Sequence, residues 1–149
     1  MSLKTLESLV FKRKRDRPVL FKTTYKKLLS STRVLGRWGE RKAVKYLKGK
    51  GYSVLALNYR CKAGEIDAVM STPEGVIVFV EVKSRRKEGL WRAVDAVTRK
   101  KQRKIAASAK FFKKRYKCTD LISRFDIVTV VLDEKKKPKI THYENAFYA

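Results

Sequence analysis

The chain holds one histidine, two cysteines, three prolines and only 14 acidic residues against 38 lysines and arginines. Each scarcity excludes a class of function. A lone His142 supplies no second imidazole, and in Thr141-His142-Tyr143 it reads as a surface or strand histidine rather than a general base. Cys61 and Cys118 cannot form a disulfide scaffold, and with one histidine they leave no nitrogen and sulfur set for zinc. Long apolar runs are missing too. The longest, Val76 to Val80, is far below the roughly 20 residues of a membrane-spanning helix, and the lysine-rich N-terminus lacks a signal-peptide apolar core. A soluble, cytoplasmic protein with no membrane partner is expected.

Positive charge is what the sequence has in excess. The 149 residues carry a formal charge of +24, and 44% of them are hydrophobic. That length suits one domain able to bury about two thirds of its unfolded surface. Apolar residues arranged in periodic blocks exclude full-length disorder. A charge this far from zero repels itself, and a polyanionic partner relieves the repulsion; nucleic acid is the commonest polyanion.

The charge is spread unevenly: residues 1–34 carry +8, residues 35–98 carry +6 and residues 99–149 carry +10. Residues 1–34 read as a basic N-terminal extension preceding a domain at 35–149. The extension contains the charge run Phe11 to Pro18, and Tyr25 to Leu29 is a candidate short helix. A nucleic-acid-binding arm and a solubilising tail both fit it.

From Gly36 the pattern sharpens. Ala43, Val44, Leu47 and the Lys48 stem follow helical spacing and Gly49 to Gly51 end the segment, so 36–49 is expected as an amphipathic helix. Tyr52 to Arg60 and Glu65 to Ser71 read as strands, Pro73-Glu74-Gly75 as a turn, and Val76 to Lys83 as a strand rich in β-branched residues. Residues 99–117 form a basic helix with Gln102, Ile105, Ala106, Ala109, Phe112 and Tyr116 on one face and ten Lys and Arg over the rest. Phe125 to Leu132 is expected as a buried strand, Asp133 to Lys137 as a charged turn and Ile140 to Tyr143 as an edge strand. This order predicts a small α/β domain with a mixed sheet.

A few acids stand against the pattern. Side chains alternate along a strand, so Val76, Val78, Val80 and Val82 point one way while Ile77, Phe79, Glu81 and Lys83 point the other. Glu81 lies in a strand apolar enough to be central, where an unpaired carboxylate costs several kcal/mol. If 65–71 and 76–83 pair as a hairpin, Asp67 comes to lie beside Glu81, with Glu65 on the same face as Asp67. Glu40 precedes Ala43, Val44 and Leu47 by three, four and seven positions, which places it on the helix stripe that faces the sheet. Three converging acids repel unless a cation lies between them, and an oxygen-only site with few protein ligands suits Mg²⁺. Lys83 would then orient a water or stabilise charge on a phosphate. Read alone, Glu81 with Lys83 is equally a plain surface ion pair; Asp67 and Glu40 tip the balance toward a site. Gln102 is a weaker candidate, since it opens the apolar face of the second helix.

These residues carry a family resemblance. Gly36-Arg37-Trp38-Gly39-Glu40, Asn58-Tyr59-Arg60-Cys61, Gly64-Glu65-Ile66-Asp67, Val78 through Arg85, Lys101-Gln102, Arg124-Phe125-Asp126 and Asn145-Ala146-Phe147 resemble the YraN family over about 36–147. That family belongs to the restriction-endonuclease-like PD-(D/E)xK superfamily and is related to Holliday junction resolvases. The resemblance implies a three-layer α/β/α nuclease core with a mixed central sheet. It makes Asp67 the metal-binding acid, Glu81 and Lys83 the E-x-K pair, Glu40 the first-helix acid and Gln102 the second-helix polar residue. Ile66 stands where the superfamily's name has proline.

The favoured expectation is a Mg²⁺- or Mn²⁺-dependent DNA endonuclease acting on branched or single-stranded structures. Asp67 and Glu81 would hold the metal with the Val82 carbonyl and, through water, Glu40. Arg37, Arg85, Arg86 and Lys87, with Arg99, Lys100, Lys101, Arg103 and Lys104 of the second helix, would contact phosphates. Trp38 and Trp91 are candidates for base stacking, with packing the commoner role. RNA stays open as a partner, and a homodimer would suit a junction resolvase. The alternative is a basic nucleic-acid-binding protein that keeps the nuclease fold without catalysis.

Overall fold

A computed structural model describes residues 2–11, 24–87, 93–132 and 137–148. The charge run from Lys12 onward, Trp91 and most of the Asp133 to Lys137 turn lie outside the described residues. A five-stranded sheet runs in the order β1 (Ser53–Cys61), β2 (Gly64–Ser71), β3 (Ile77–Arg85), β4 (Ser123–Val131) and β5 (Lys139–Phe147). Neighbours are antiparallel except β3 and β4, which are parallel and joined through the helix α4 (Arg99–Arg115). The sheet is therefore mixed and the fold α/β. Four further segments complete it: α1 (Leu3–Phe11), α2 (Tyr25–Ser30), α3 (Thr32–Gly49) and a 3₁₀ turn at Ala93–Ala96.

The alternation read along β3 sorts its side chains into two cores. Val78, Val80 and Val82 pack with Ala43 and Leu47 of α3, while Ile77 and Phe79 pack with Ile105, Ala109 and Phe112 of α4. Helices thus cover both faces of the sheet, which gives three layers. The Phe112 ring meets Tyr59 and Phe79 edge-on at 5.2 and 5.8 Å. Each such fully buried side chain contributes about 1.5–3 kcal/mol of burial.

α3 begins four residues before the periodicity placed it, because the Ser31 side chain accepts a hydrogen bond from Val34 N–H and caps the helix at Thr32. Gly51, at φ +89°, ends it. At Gly39 α3 lies directly against β3: a Cβ there would overlap the Ser84 Oγ. Only glycine lets the helix lie this low, and the neighbouring Glu40 is carried to the sheet with it.

The basic extension is partly built into the core. Leu6 and Val10, one helical turn apart on α1, are buried against the α4 side of the sheet, beside β1. α2 and α3 enclose a smaller cluster of Leu28, Leu35 and Leu132, against which Trp38 packs. β5 runs four residues beyond Tyr143, the expected end of the edge strand, and α4 ends at Arg115, two residues short of its expected end. Among the described residues no helix is long and apolar enough to cross a membrane.

Candidate active site

The site forms where β2 parts from β3. Their ladder stops at the pair Ala68 and Val80, yet β2 continues to pair with β1 as far as Gly64. One step past that last pair stand Asp67 and Glu81. The Val82 N–H, left without a strand partner at the fork, donates to Asp67 Oδ2 at 2.8 Å. The sequence expectation that Asp67 lies beside Glu81 follows from this register.

Glu81 is only 2% exposed. Its Oε1 accepts from Lys83 Nζ at 2.8 Å, and its Oε2 lies 3.4 Å from Lys101 Nζ without a hydrogen bond to any described group. Such a buried carboxylate is neutralised by charge but incompletely bonded. Both lysines keep part of their side chains in solvent, so either can leave the carboxylate without being stranded.

Burial, followed by the negative charge of Glu81 and then that of Glu40, pushes the Asp67 carboxyl up to about 7; the Val82 hydrogen bond and Lys101 pull the other way. Glu40 also sits above the usual carboxylate range, first through burial and then through Glu65 and Glu81, with Arg37 and a hydrogen bond from Asn58 opposing. Asn58 reaches it from a left-handed backbone position in β1, at φ +49°. The three acids feel one another electrostatically. They do not form a closed cluster, however: among the described residues no three His, Cys, Asp or Glu side chains stand close enough to enclose one ion. Asp67 and Glu81 form the inner pair, and Glu40 is an outlying third. Two carboxylates with water filling the remaining positions is a set that Mg²⁺ accepts, and the half-bonded Glu81 Oε2 offers a free lone pair to a cation.

The other expected residues divide. Lys101, expected among the phosphate contacts, turns inward to Glu81; it shares the stripe of Ile105, Ser108 and Phe112, at spacings of four, seven and eleven, which is the signal that marks it. Gln102 points its amide at the Val97 carbonyl, at 2.9 Å, and steadies the entry to α4. Arg86 donates to the Leu28 carbonyl and ties α2 to the end of β3. Arg85 reaches the Ser84 carbonyl. Arg37, Lys87, Arg99, Lys100, Arg103 and Lys104 are exposed. Glu65 pairs with Arg60 in solvent. Val82 presents its N–H to Asp67.

A second buried acid lies on the α3 side of the sheet, where the sequence reading named no site. Asp126, fully buried, accepts from Arg124, from His142 Nε2 at 2.8 Å and from the Asn145 N–H at 3.0 Å. Arg124 in turn holds the Tyr52 hydroxyl and Glu144. His142 does lie in a strand, but its side chain is 2% exposed, not at the surface.

The sequence profile described as "Uncharacterised protein family UPF0102" matches residues 39–130. A UPF0102 protein of Caldicellulosiruptor saccharolyticus is 41% identical over 116 residues, covering 77% of this chain and 98% of that protein. One from Geotalea uraniireducens is 40% identical over 113 residues, covering 76% of this chain and 88% of its own length. Among solved structures, Pyrococcus furiosus SfsA in complex with Ca²⁺ overlaps 76% of this chain and 64% of its own, at 14% identity and a TM-score of 0.33, too slight a likeness to carry fold or function across.

Proposed function

The chain belongs to the UPF0102 family, the restriction-endonuclease-like YraN group, and from that premise we propose that it is a divalent-cation-dependent endonuclease that hydrolyses DNA phosphodiester bonds in the cytoplasm, on branched or single-stranded structures. The observation that carries the proposal is the fork of β2 and β3, which brings a buried, half-bonded Glu81 beside Asp67 and leaves Lys83 2.8 Å away.

Asp67 and Glu81 would hold Mg²⁺ or Mn²⁺ with the Val82 carbonyl and, through water, Glu40. A cation there supplies charge stabilisation at the phosphate and a more acidic water. The chain's own groups do the rest. The Lys83 ammonium, drawn off Glu81 Oε1, orients the nucleophilic water and offsets charge that develops on the phosphate oxygens. The water oxygen bonds to phosphorus, one ester P–O bond breaks, and a proton reaches the departing alkoxide. Lys101, released from Glu81 Oε2, is within reach of a phosphate oxygen. The exposed cations of α4 hold the backbone in a sequence-independent way, so affinity falls steeply with salt.

The test is cleavage of duplex, single-stranded, flapped and four-way DNA with Mg²⁺ or Mn²⁺. Cutting is expected with either metal, none with chelator, and a loss of at least about 100-fold in Glu81→Ala and Lys83→Ala. Cutting that survives both substitutions would remove the site assignment. The pairing of both Glu81 oxygens with lysines favours a second reading, a nucleic-acid-binding protein whose site is closed by its own cations. Absence of metal binding at millimolar concentration would favour it.

A further inference from the structure

The flank of α4 that faces away from Lys101 carries a cavity of about 600 Å³, whose Tyr148 wall has no part in the proposed chemistry. Arg99, Arg103 and Lys110 line it. Their spacings of four and eleven place them on one strip of the helix, about 16 Å long at 1.5 Å per residue. Among the described residues no acid pairs with any of the three. Ala106 and Ala107, with no bulk beyond Cβ, form the floor between the cations.

The opposite wall is Tyr148, at the end of β5. Its neighbour Phe147 is buried and stacked on Phe125, with ring centroids 5.0 Å apart and planes at 17°. The backbone at Tyr148 is thus anchored while its own ring is 87% exposed. An aromatic ring left in water over a row of cations makes a poor core element and a good platform for another π-face. The Gln102 amide, on the α4 side of the groove, leaves its oxygen free to accept.

We propose that this groove is a subsite for an unpaired polynucleotide strand, with phosphates on Arg99, Arg103 and Lys110 and a base stacked on Tyr148. A duplex hides its base faces in its own stack, so the ring selects unpaired strand while the cations do not discriminate. The strip exceeds the length of a single nucleotide, which points to a strand rather than a free nucleotide. Only the width of α4, about 10–12 Å, separates the groove from Lys101 and Glu81. A strand passing around the helix covers about half its circumference, ~16–19 Å, which at a rise of ~3.4 Å is about five nucleotides. The subsite rests on the nuclease reading for its purpose, since it would deliver the unpaired arm of a branched substrate to the acid pair, but its binding can be measured without cutting.

The test is fluorescence anisotropy on the full chain in chelator, with labelled oligothymidylate, oligouridylate and a DNA duplex of equal length. Tyr148→Ala should weaken single-strand binding about 10-fold and leave duplex binding within about two-fold. Tyr148→Phe should bind single strands as the wild type does, because stacking needs no hydroxyl. Arg103→Ala should weaken all three probes and lower the salt dependence by about one ion. Equal losses on single strand and duplex in Tyr148→Ala, or no loss on either, would overturn the subsite. Oligothymidylate and oligouridylate separate a DNA strand from an RNA strand as its occupant; either preference supports the subsite. If the wild type cuts and Tyr148→Ala binds normally, the subsite falls and the nuclease stands. If the wild type never cuts but Tyr148→Ala loses single strands alone, the reverse holds.

Discussion

Asp126 and Glu81 are both buried carboxylates on the same sheet, facing opposite helices, and they are kept in opposite ways. Asp126 has a full set of donors on both oxygens: a guanidinium, an imidazole and a backbone N–H. Glu81 has one hydrogen bond, one long ion contact and a second acid as neighbour. The first arrangement is closed and needs nothing further. The second is balanced by two lysines whose side chains stay 23% and 28% exposed, and its Oε2 has no hydrogen bond. Burial of an acid therefore does not mark a site; the state of its hydrogen bonds does.

Removing each acid in turn separates the two arrangements. Asp126→Ala takes the carboxylate from the buried His142 Nε2 and leaves Arg124 only Tyr52 and Glu144, and should cost about 3–5 kcal/mol in denaturant unfolding. Glu81→Gln leaves two lysines that can turn to solvent and relieves Asp67, so its unfolding free energy should stay within about 1 kcal/mol of wild type or rise. Equal destabilisation by the two substitutions would erase the distinction.

A smaller effect depends on pH. Asp67 ionises at about 7 in the fold against 3.8 ordinarily, so the folded state disfavours its charged form. Below both values the group is protonated in both states and costs nothing; as pH rises from 3.8 through about 7 the metal-free protein loses stability. Asp67→Asn should therefore be the more stable protein at about pH 8, by on the order of 2 kcal/mol, with the gap closing toward acid pH. A gap that is constant with pH would show that Asp67 is not held above its ordinary value.

Part of this contrast is legible in the sequence. The alternation of Val78, Val80 and Val82 against Ile77, Phe79, Glu81 and Lys83 places the acid on a buried face, and a hairpin about Pro73 to Gly75 brings Asp67 to it. The fork that opens there is not legible, because it depends on β2 following β1 after leaving β3. Asp126 stands in the Arg124-Phe125-Asp126 motif, but its buried hydrogen-bonded role is not legible there, for a similar reason. Its partners arrive through the β4 and β5 register, with an irregularity between Phe125 and Ile127 and a left-handed Asn145, and no local pattern encodes either. The core role of Leu6 and Val10 was hidden by the charges that follow them, since α1 is buried only by tertiary contact. Tyr148 had no periodic context at all; only its exposure beside the cations of α4 marks it.

The most direct test of the difference between the two acids is a calorimetric titration of Mn²⁺ into the full-length, metal-free protein and into Glu81→Gln. One site filling at or below millimolar metal in the wild type, and absent in Glu81→Gln, is the expected result. No heat of binding in the wild type, or the same isotherm in both proteins, would contradict a cation site at Asp67 and Glu81.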